Sequence, residues 1–446
     1  MNKILKITYA SVLVVILSIP AFAGNYEGNA VSEINNSYLP DELTENEAEY
    51  TQERVGFHDE AVTAYQNFNY NVFNDFEHPS YLEGENGYQF FKLEEPDIDY
   101  DFLDAFARYL RRVQDYCESR GVPFLYCINP SKINVYYEFL PEGYVYDGDA
   151  FYDVFTSYLE KNGVNWIGNL ELLREKAKTE QVFNVKFDPG HWNDRGEFYG
   201  TNHMLEALSE YLPEVEPWDP DDFIVTEQLE QYQALSYFEI NEKVPYYSLS
   251  PDKSESIKVE DLTEKYDSIE LNEQHRTFAV FKRVDDDASH LPRVLIFHGS
   301  YYNRNKMFYS HAFKESYDVH NYENVLNFEY YFNIFQPDCV IITTAEYATS
   351  RNYFNYDSLC SKTLNPVFST VSAEPHDEFR LEEVSADITT QDSLTKIDFN
   401  TAEEYSFGYL EMNGNYFDLI IDGDSVSCTI DTGNFVLENA ELYLFR

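Results

Sequence analysis

Cationic residues are scarce in this chain. Lys and Arg number 31 against 80 Asp and Glu, giving a formal net charge of −49. A surface so acidic repels phosphate backbones and anionic lipid, which argues against nucleic acid or an anionic membrane surface as partner. It suits a well-solvated extracellular protein, or one from a salty habitat. Cysteine is sparse too. The five (Cys117, Cys127, Cys339, Cys360 and Cys428) are odd in number and show no C-x-x-C spacing. That argues against a disulfide framework and against a cysteine zinc site, and leaves buried free thiols. Past the N-terminus no apolar run reaches the length of a membrane span. Aromatic residues, by contrast, are plentiful. There are 39 Tyr and 34 Phe, surface that can fill a core or stack on flat ligands such as sugar rings. At 446 residues the chain can bury a large core and is expected to hold two domains.

The N-terminus reads as an export signal. Lys3 and Lys6 form a positive start, "ITYASVLVVILSIP" is an apolar stretch, and Ala21-Phe22-Ala23 is an A-x-A cleavage site before Gly24. Residues 1–23 are therefore read as a cleavable signal peptide of an extracytoplasmic, secreted or cell-surface protein. An uncleaved N-terminal anchor is the alternative. Residues 24–84 are polar and acidic at their start and read as an arm or linker.

An α/β rhythm follows. "DYDFLDAFARYLRRVQDYCESRG" has helical spacing and a terminal Gly, and "VPFLYCI" is a short buried strand. "DAFYDVFTSYLEKNG" is helical, "VNWIG" a strand and "LELLREKAK" helical. "QVFNVKF" is expected as a strand leading into the turn "DPGHWN". Asp194 is expected to cap the next helix. Residues 215–290 break the rhythm as a mixed insertion. "RVLIFHGS" restores it, with a helix expected over "NRNKMFYSHAFKES", and "YYFNIFQP" precedes the strand "DCVIITTA". From 361 to 446 short alternating runs are split by Asn, Gly and Asp, the texture of a small all-β, sandwich-like module. The reading is thus a parallel sheet with flanking helices over 85–360, followed by that module.

Two stretches carry chemistry. In "RVLIFHGSYY" a buried strand delivers His298, Gly299 and Ser300 to its end. That is where an α/β sheet places its crevice, and amides at a following helix start can receive an oxyanion. A serine hydroxyl needs a base, and an Asp-oriented His supplies one. "VKFDPGHWN" offers both, His191 as base and Asp188 as its orienting carboxylate. A turn carboxylate and a surface histidine are the plainer reading of the same residues.

These blocks, with "INPSKINVYYEFLP", resemble in order those of the alginate O-acetyltransferase-like (AlgX/AlgJ-like, DHHW) branch of the SGNH hydrolase superfamily. The resemblance covers roughly residues 85–350 and rests on motif spacing. The Asp/His block precedes the Ser, as in that branch. Two departures stand out: Asp-Pro-Gly-His is one residue longer than the family's Asp-x-His, and His298 replaces the Asp of Gly-Asp-Ser. The resemblance implies an exported fold that moves acetyl groups on polysaccharide, with a membrane-bound O-acyltransferase as the source of the acetyl group. No cofactor and no metal are implied.

The expected function is therefore O-acetylation of an exported polysaccharide through an acetyl-Ser300 intermediate. A carbohydrate acetyl esterase with the same triad, or a non-catalytic polysaccharide-binding or assembly protein, are the alternatives. Gly299, Tyr301, Tyr302, Trp192, Asn193 and Lys132 are the candidates for oxyanion or substrate contacts. Asn202, Tyr136 and Tyr137 are further ones. Trp192 reads first as a wall or core residue, Lys132 as a structural or rim lysine, and His203 as packing. A second serine motif, Gly423-Asp424-Ser425, has no helix after it and reads as a hairpin turn.

Overall fold

The computed structural model describes residues 58–73, 76, 78, 80–93, 98–234, 238–433, 437 and 439–446. The signal-peptide segment and the arm up to residue 57 lie outside the described residues. Among the described residues no helix is long and apolar enough to cross a membrane. The chain divides into two compact units: residues through Glu83 with 229–242, and 84–228 with 243–446. In the first, the helix α1 (His58–Phe73) carries Tyr70. Its ring and that of Phe76 meet Phe238 edge-on at 5.2 and 5.1 Å.

The second unit is built on a seven-stranded sheet. Its strands are β1 (Phe124–Asn129), β2 (Trp166–Gly168), β3 (Val259–Asp261), β4 (Phe278–Arg283), β5 (Arg293–His298), β6 (Glu315–His320) and β7 (Cys339–Ala345). They lie in the order β2-β1-β7-β5-β6-β4-β3. The first five are parallel, and β4 and β3 add antiparallel at one edge. Those two come from the stretch read as an insertion. β1 and β7 are buried along their whole length, and β5 from Val294 to His298, as expected where helices cover both faces.

Helices α2 (Tyr100–Ser119), α3 (Gly148–Asn162), α4 (Leu170–Ala177) and α5 (Asp194–Ser209) supply much of that cover. α2 starts where the Asp99 carboxylate accepts from the Phe102 amide. It buries Phe102, Phe106, Leu110, Val113 and Cys117, the i, i+4, i+8 face of an amphipathic helix. α3 ends on Gly163 at φ 65°, a left-handed stop that favours glycine.

The C-terminal part is a second seven-stranded sheet, antiparallel throughout: β8 (His376–Arg380), β9 (Asp387–Gln391), β10 (Leu394–Asn400), β11 (Phe407–Met412), β12 (Asn415–Asp422), β13 (Ser425–Asp431) and β14 (Glu441–Phe445). The first part of β12 pairs with β11 and its last three residues with β13. The sheet therefore curls over one apolar core that includes Ile397, Leu410, Phe417, Val426, Ile430 and Leu442. Helix α6 (Phe328–Phe335) lies against β12 and β13. Asn333 exchanges two hydrogen bonds with the Asp418 backbone (2.8 and 3.0 Å). The Asp418 carboxylate, buried, meets Arg120 from the end of α2 at 3.1 Å.

Three local expectations are corrected. Residues 181–187 are not a strand. One isolated bridge, Phe183 with Trp192, remains. The backbone there is answered by loops and side chains instead: Val182 by Asn193 and the Tyr136 hydroxyl, Val185 by Gln89 and Lys132. Asn193, not Asp194, caps α5, its side-chain oxygen accepting from the Arg195 and Gly196 amides at 3.0 Å each. The helix expected over "NRNKMFYSHAFKES" is only a turn at Met307–Ser310, and the chain is already in β6 by Glu315. Phe308, Tyr309 and Phe313 are each buried, so the segment follows its pockets rather than a helical period. All five cysteines are free; Cys360 is exposed and the other four are buried.

Candidate functional site

Parallel strands end together, so their following loops share one rim. β1 leads to Ser131 and Lys132, β5 to Gly299 and Ser300, and β7 to Glu346 and Tyr347. The loop holding Asp188 and His191 reaches the same rim. His191 Nε2 lies 2.9 Å from Ser300 Oγ. On the other side of the ring, Nδ1 lies 3.1 Å from both Asp188 oxygens. With Asp188 ionised, the proton sits on Nδ1, and Nε2 is free to accept from the serine hydroxyl. Burial pushes the Asp188 carboxyl up. The His191 contact and the amides of Gly190 and His191 outweigh it, leaving the group below its ordinary range.

The turn is rigid for a reason visible in its neighbours. Trp192 is fully buried and its indole N–H donates to the Tyr301 carbonyl at 2.8 Å. Its ring packs on Tyr301 and Tyr302, with centroids 5.1 and 5.3 Å apart. The loop of His191 is thereby tied to the loop of Ser300. The two glycines downstream permit this. A Cβ on Gly200 would come within 2.6 Å of the Trp192 ring, and one on Gly196 would strike the Val182 carbonyl. "DPGHWNDRGEFYG" is thus a turn, an anchor and two gaps for the anchor.

The other candidates take these places. Tyr301 and Tyr302 are buried, and the Tyr301 hydroxyl donates to the carbonyls of Pro130 and Gly190. With Trp192 they form the floor under the site rather than a wall facing solvent. Gly299 is extended and starts the single helical turn Ser300–Tyr302. Asn193 is spent on the helix cap and on the Gln181 carbonyl. Asn202 is spent on the Trp218 backbone. Lys132 is buried, its ammonium held by the carbonyls of Gln89 and Val185 and set near the rings of Tyr88 and Phe90. Tyr136 is buried and Tyr137 is 58% exposed. His203 meets Asn169 at 2.8 Å, away from the serine. His298 is sealed below the turn.

Two residues were missed. Tyr347 lines the cleft beside His191, with Ser300 near enough to bear on its phenol, and burial holds that phenol far above its ordinary range, so it stays neutral. Glu346, its neighbour in the chain, anchors the end of β7. That carboxyl is buried and receives Ser131, Asn134 and Tyr146, and burial pushes it up to about 7. No motif marked the pair; their only signal was their position at the end of a buried strand. Tyr347 and His191 line a small cleft of about 60 Å³ with Phe91, Leu93, Ile133 and Pro189. Among the described residues no group of three or more His, Cys, Asp or Glu side chains is arranged to hold a metal ion.

Comparison with known proteins agrees with the resemblance read from the residues. Residues 84–275 match the family model described as SGNH hydrolase-like domain, acetyltransferase AlgX. The match contains Asp188 and His191 and stops before Ser300. No curated protein matches the chain. Among solved structures, PatB1 of Bacillus cereus is similar at 14% identity and TM-score 0.48, over 60% of this chain and 97% of that one. The O-acetyltransferase domain of Pseudomonas putida AlgJ is similar at 17% and 0.41, over 66% and 98%. A DHHW family protein from Eubacterium siraeum is similar at 16% and 0.41, over 64% and 100%.

Proposed function

We propose that this chain is an O-acetyltransferase of an exported polysaccharide, with Ser300 as nucleophile, His191 as base and Asp188 as its orienting carboxylate. The observation that carries the reading is the continuous set of contacts from Asp188 through both nitrogens of His191 to Ser300 Oγ. The match to an acetyltransferase domain model supports the class of reaction.

Ser300 Oγ attacks the carbonyl carbon of an acetyl ester while its proton passes to His191 Nε2. The oxyanion is met by the Tyr347 hydroxyl and by the backbone N–H of Ser300 at the start of its helical turn. Collapse expels the donor's alcohol, which takes the proton from His191, and leaves acetyl-Ser300. A sugar hydroxyl then gives its proton to the same nitrogen, attacks the acetyl carbon, and collapse returns Ser300 its proton. Asp188 stays ionised throughout and stabilises the imidazolium. The apolar lining of Phe91, Leu93, Ile133 and Pro189 disfavours water as acceptor. Residues 85–360 carry this chemistry in the proposal, and 361–446 serve attachment to carbohydrate. A membrane-bound O-acyltransferase supplies the acetyl group, and the site of action is outside the cytoplasm.

The test is the purified protein with an acetyl ester donor and candidate oligosaccharides, followed by mass analysis. Acetylated sugar supports the proposal. Free acetate alone would make the protein an esterase, and no acyl-enzyme at all would leave a binding protein.

A further inference from the structure

Beneath the serine turn lies a polar chain that the proposed mechanism does not use. His298, at the end of β5, has its Nδ1 3.0 Å from the Gly299 carbonyl. Its Nε2 is 3.4 Å from the Tyr309 hydroxyl, which in turn is 2.9 Å from Asp318 Oδ2. All three side chains are fully buried. His298 and Asp318 sit two residues apart in register on the paired strands β5 and β6.

Hydrogen counting makes the chain directional. A carbonyl only accepts, so Nδ1 carries the proton. Burial, with Lys306 and His320 nearby, brings His298 down to about 3, so the ring is neutral and Nε2 is an acceptor. Tyr309 has one hydrogen and two claimants. If Asp318 is protonated, it donates to Tyr309, Tyr309 donates to His298, and each link of the chain has its hydrogen. If Asp318 is ionised, Tyr309 turns to the carboxylate and Nε2 is left without a donor.

We propose that Asp318, Tyr309 and His298 are positioning residues for Ser300, forming a hydrogen-bond chain whose direction follows the protonation of Asp318 and which, when Asp318 is protonated, holds the Gly299 carbonyl and the nucleophile turn in one orientation. The groups facing the chain are Lys306, 3.8 Å from Asp318 Oδ2, with Ser316 on β6, His320 beside His298, and Tyr302 and Glu197 around Tyr309. Burial pushes Asp318 up to about 6, against the pull of Lys306, Tyr309 and Ser316. The protonated share therefore falls as pH rises through that value.

The kinetic arm of the test rests on the Ser300 reading; the spectroscopic arm does not. Acylation by an activated acetyl ester is followed against pH in the full chain, with Asp318→Asn and Tyr309→Phe. In wild type the acylation rate constant should fall by about tenfold above the Asp318 titration, at unchanged KM, a smaller loss than the about 10²-fold that a misplacement of about 1 Å can cost. Asp318→Asn, whose amide always has a hydrogen for Tyr309, should lose that fall. Tyr309→Phe should lie at the lower rate across the range. Imidazole nitrogen NMR of the wild-type protein should show one buried, neutral histidine whose Nε2 shifts with the Asp318 titration without ring protonation, and the shift should vanish in Asp318→Asn. A falling limb that survives in Asp318→Asn, or no such Nε2 shift in wild type, would overturn the proposal even where acylation is robust. If acylation is absent and the Nε2 shift is present, the chain stands and the Ser300 reading fails.

Discussion

Among the described residues two turns set a serine just after a glycine, and only one spells Gly-Asp-Ser. Gly423-Asp424-Ser425 matches a nucleophile block letter for letter, yet Asp422 pairs with Ser425 across a two-residue hairpin with Gly423 at φ 64°. Ser425 is exposed at the start of β13, on an antiparallel sheet whose strand ends point alternately in opposite directions. His298-Gly299-Ser300 departs from the motif, yet it closes a parallel strand between two others, and His191, Asp188 and Tyr347 reach it from neighbouring loops. Parallel topology gathers side chains at one rim, and antiparallel hairpins scatter them. In the proposed function the chemistry follows the topology.

Four measurements break or sharpen that contrast. Ser300→Ala should abolish acyl-enzyme formation, seen by intact mass after reaction with an acetyl ester, and cut turnover by about 10⁴-fold or more. Its thermal midpoint should stay near wild type, since one half-exposed hydroxyl is lost. Asp188→Asn should cost about 10³-fold or more in turnover, because the amide no longer holds the proton on Nδ1. Its effect should persist in added salt, which would screen a mere change in charge repulsion or attraction to substrate. Tyr347→Phe should cost about 10²-fold in acylation rate with little change in KM, as expected when one oxyanion donor is removed. Ser425→Ala should change nothing measurable in rate. Loss of activity in that variant, with activity kept in Ser300→Ala, would reverse the assignment of the two turns.

A second contrast lies between two carboxyls, Asp188 partly buried and Asp318 fully buried. Asp188 gathers a ring nitrogen and two amides, and these outweigh its burial. Asp318 has one phenol and an ammonium 3.8 Å away, its Oδ1 has no hydrogen-bond partner among the described residues, and burial wins. The same residue type is thereby kept ionised at the site and carried toward the neutral form below it.

Local pattern was legible wherever a single period ruled. The amphipathic face of α2, the buried strands β1, β5 and β7, and the short alternating strands from β10 onward were readable from apolar spacing. Asp188, His191 and Ser300 were singled out by residue type, by a place beside a turn and by the order of the motif blocks they resemble. α6 was not readable as a helix, because it is eight residues long and all eight, Glu329 and Asn333 included, are buried, a run that matches a buried strand as well as a helix. Residues 181–187 look strand-like because Val182 and Phe183 are buried, but their backbone partners are side chains and loops.

The sequence by itself determined that the chain has an α/β part with parallel strands followed by a β-rich part, and that a serine, a histidine and an aspartate stand at turns beside apolar runs. Only the tertiary structure decided what those turns meet. Tyr347 reaches Ser300 because β7 lies beside β5 in space, though the two are separated in the chain by β6 and α6. Trp192 becomes an anchor because Gly196 and Gly200 open a groove for it. Asp318 bears on His298 because β5 and β6 pair in a register that sequence spacing does not encode. Spacing along a chain reports which residues share a face; which faces meet is set by strand order and packing.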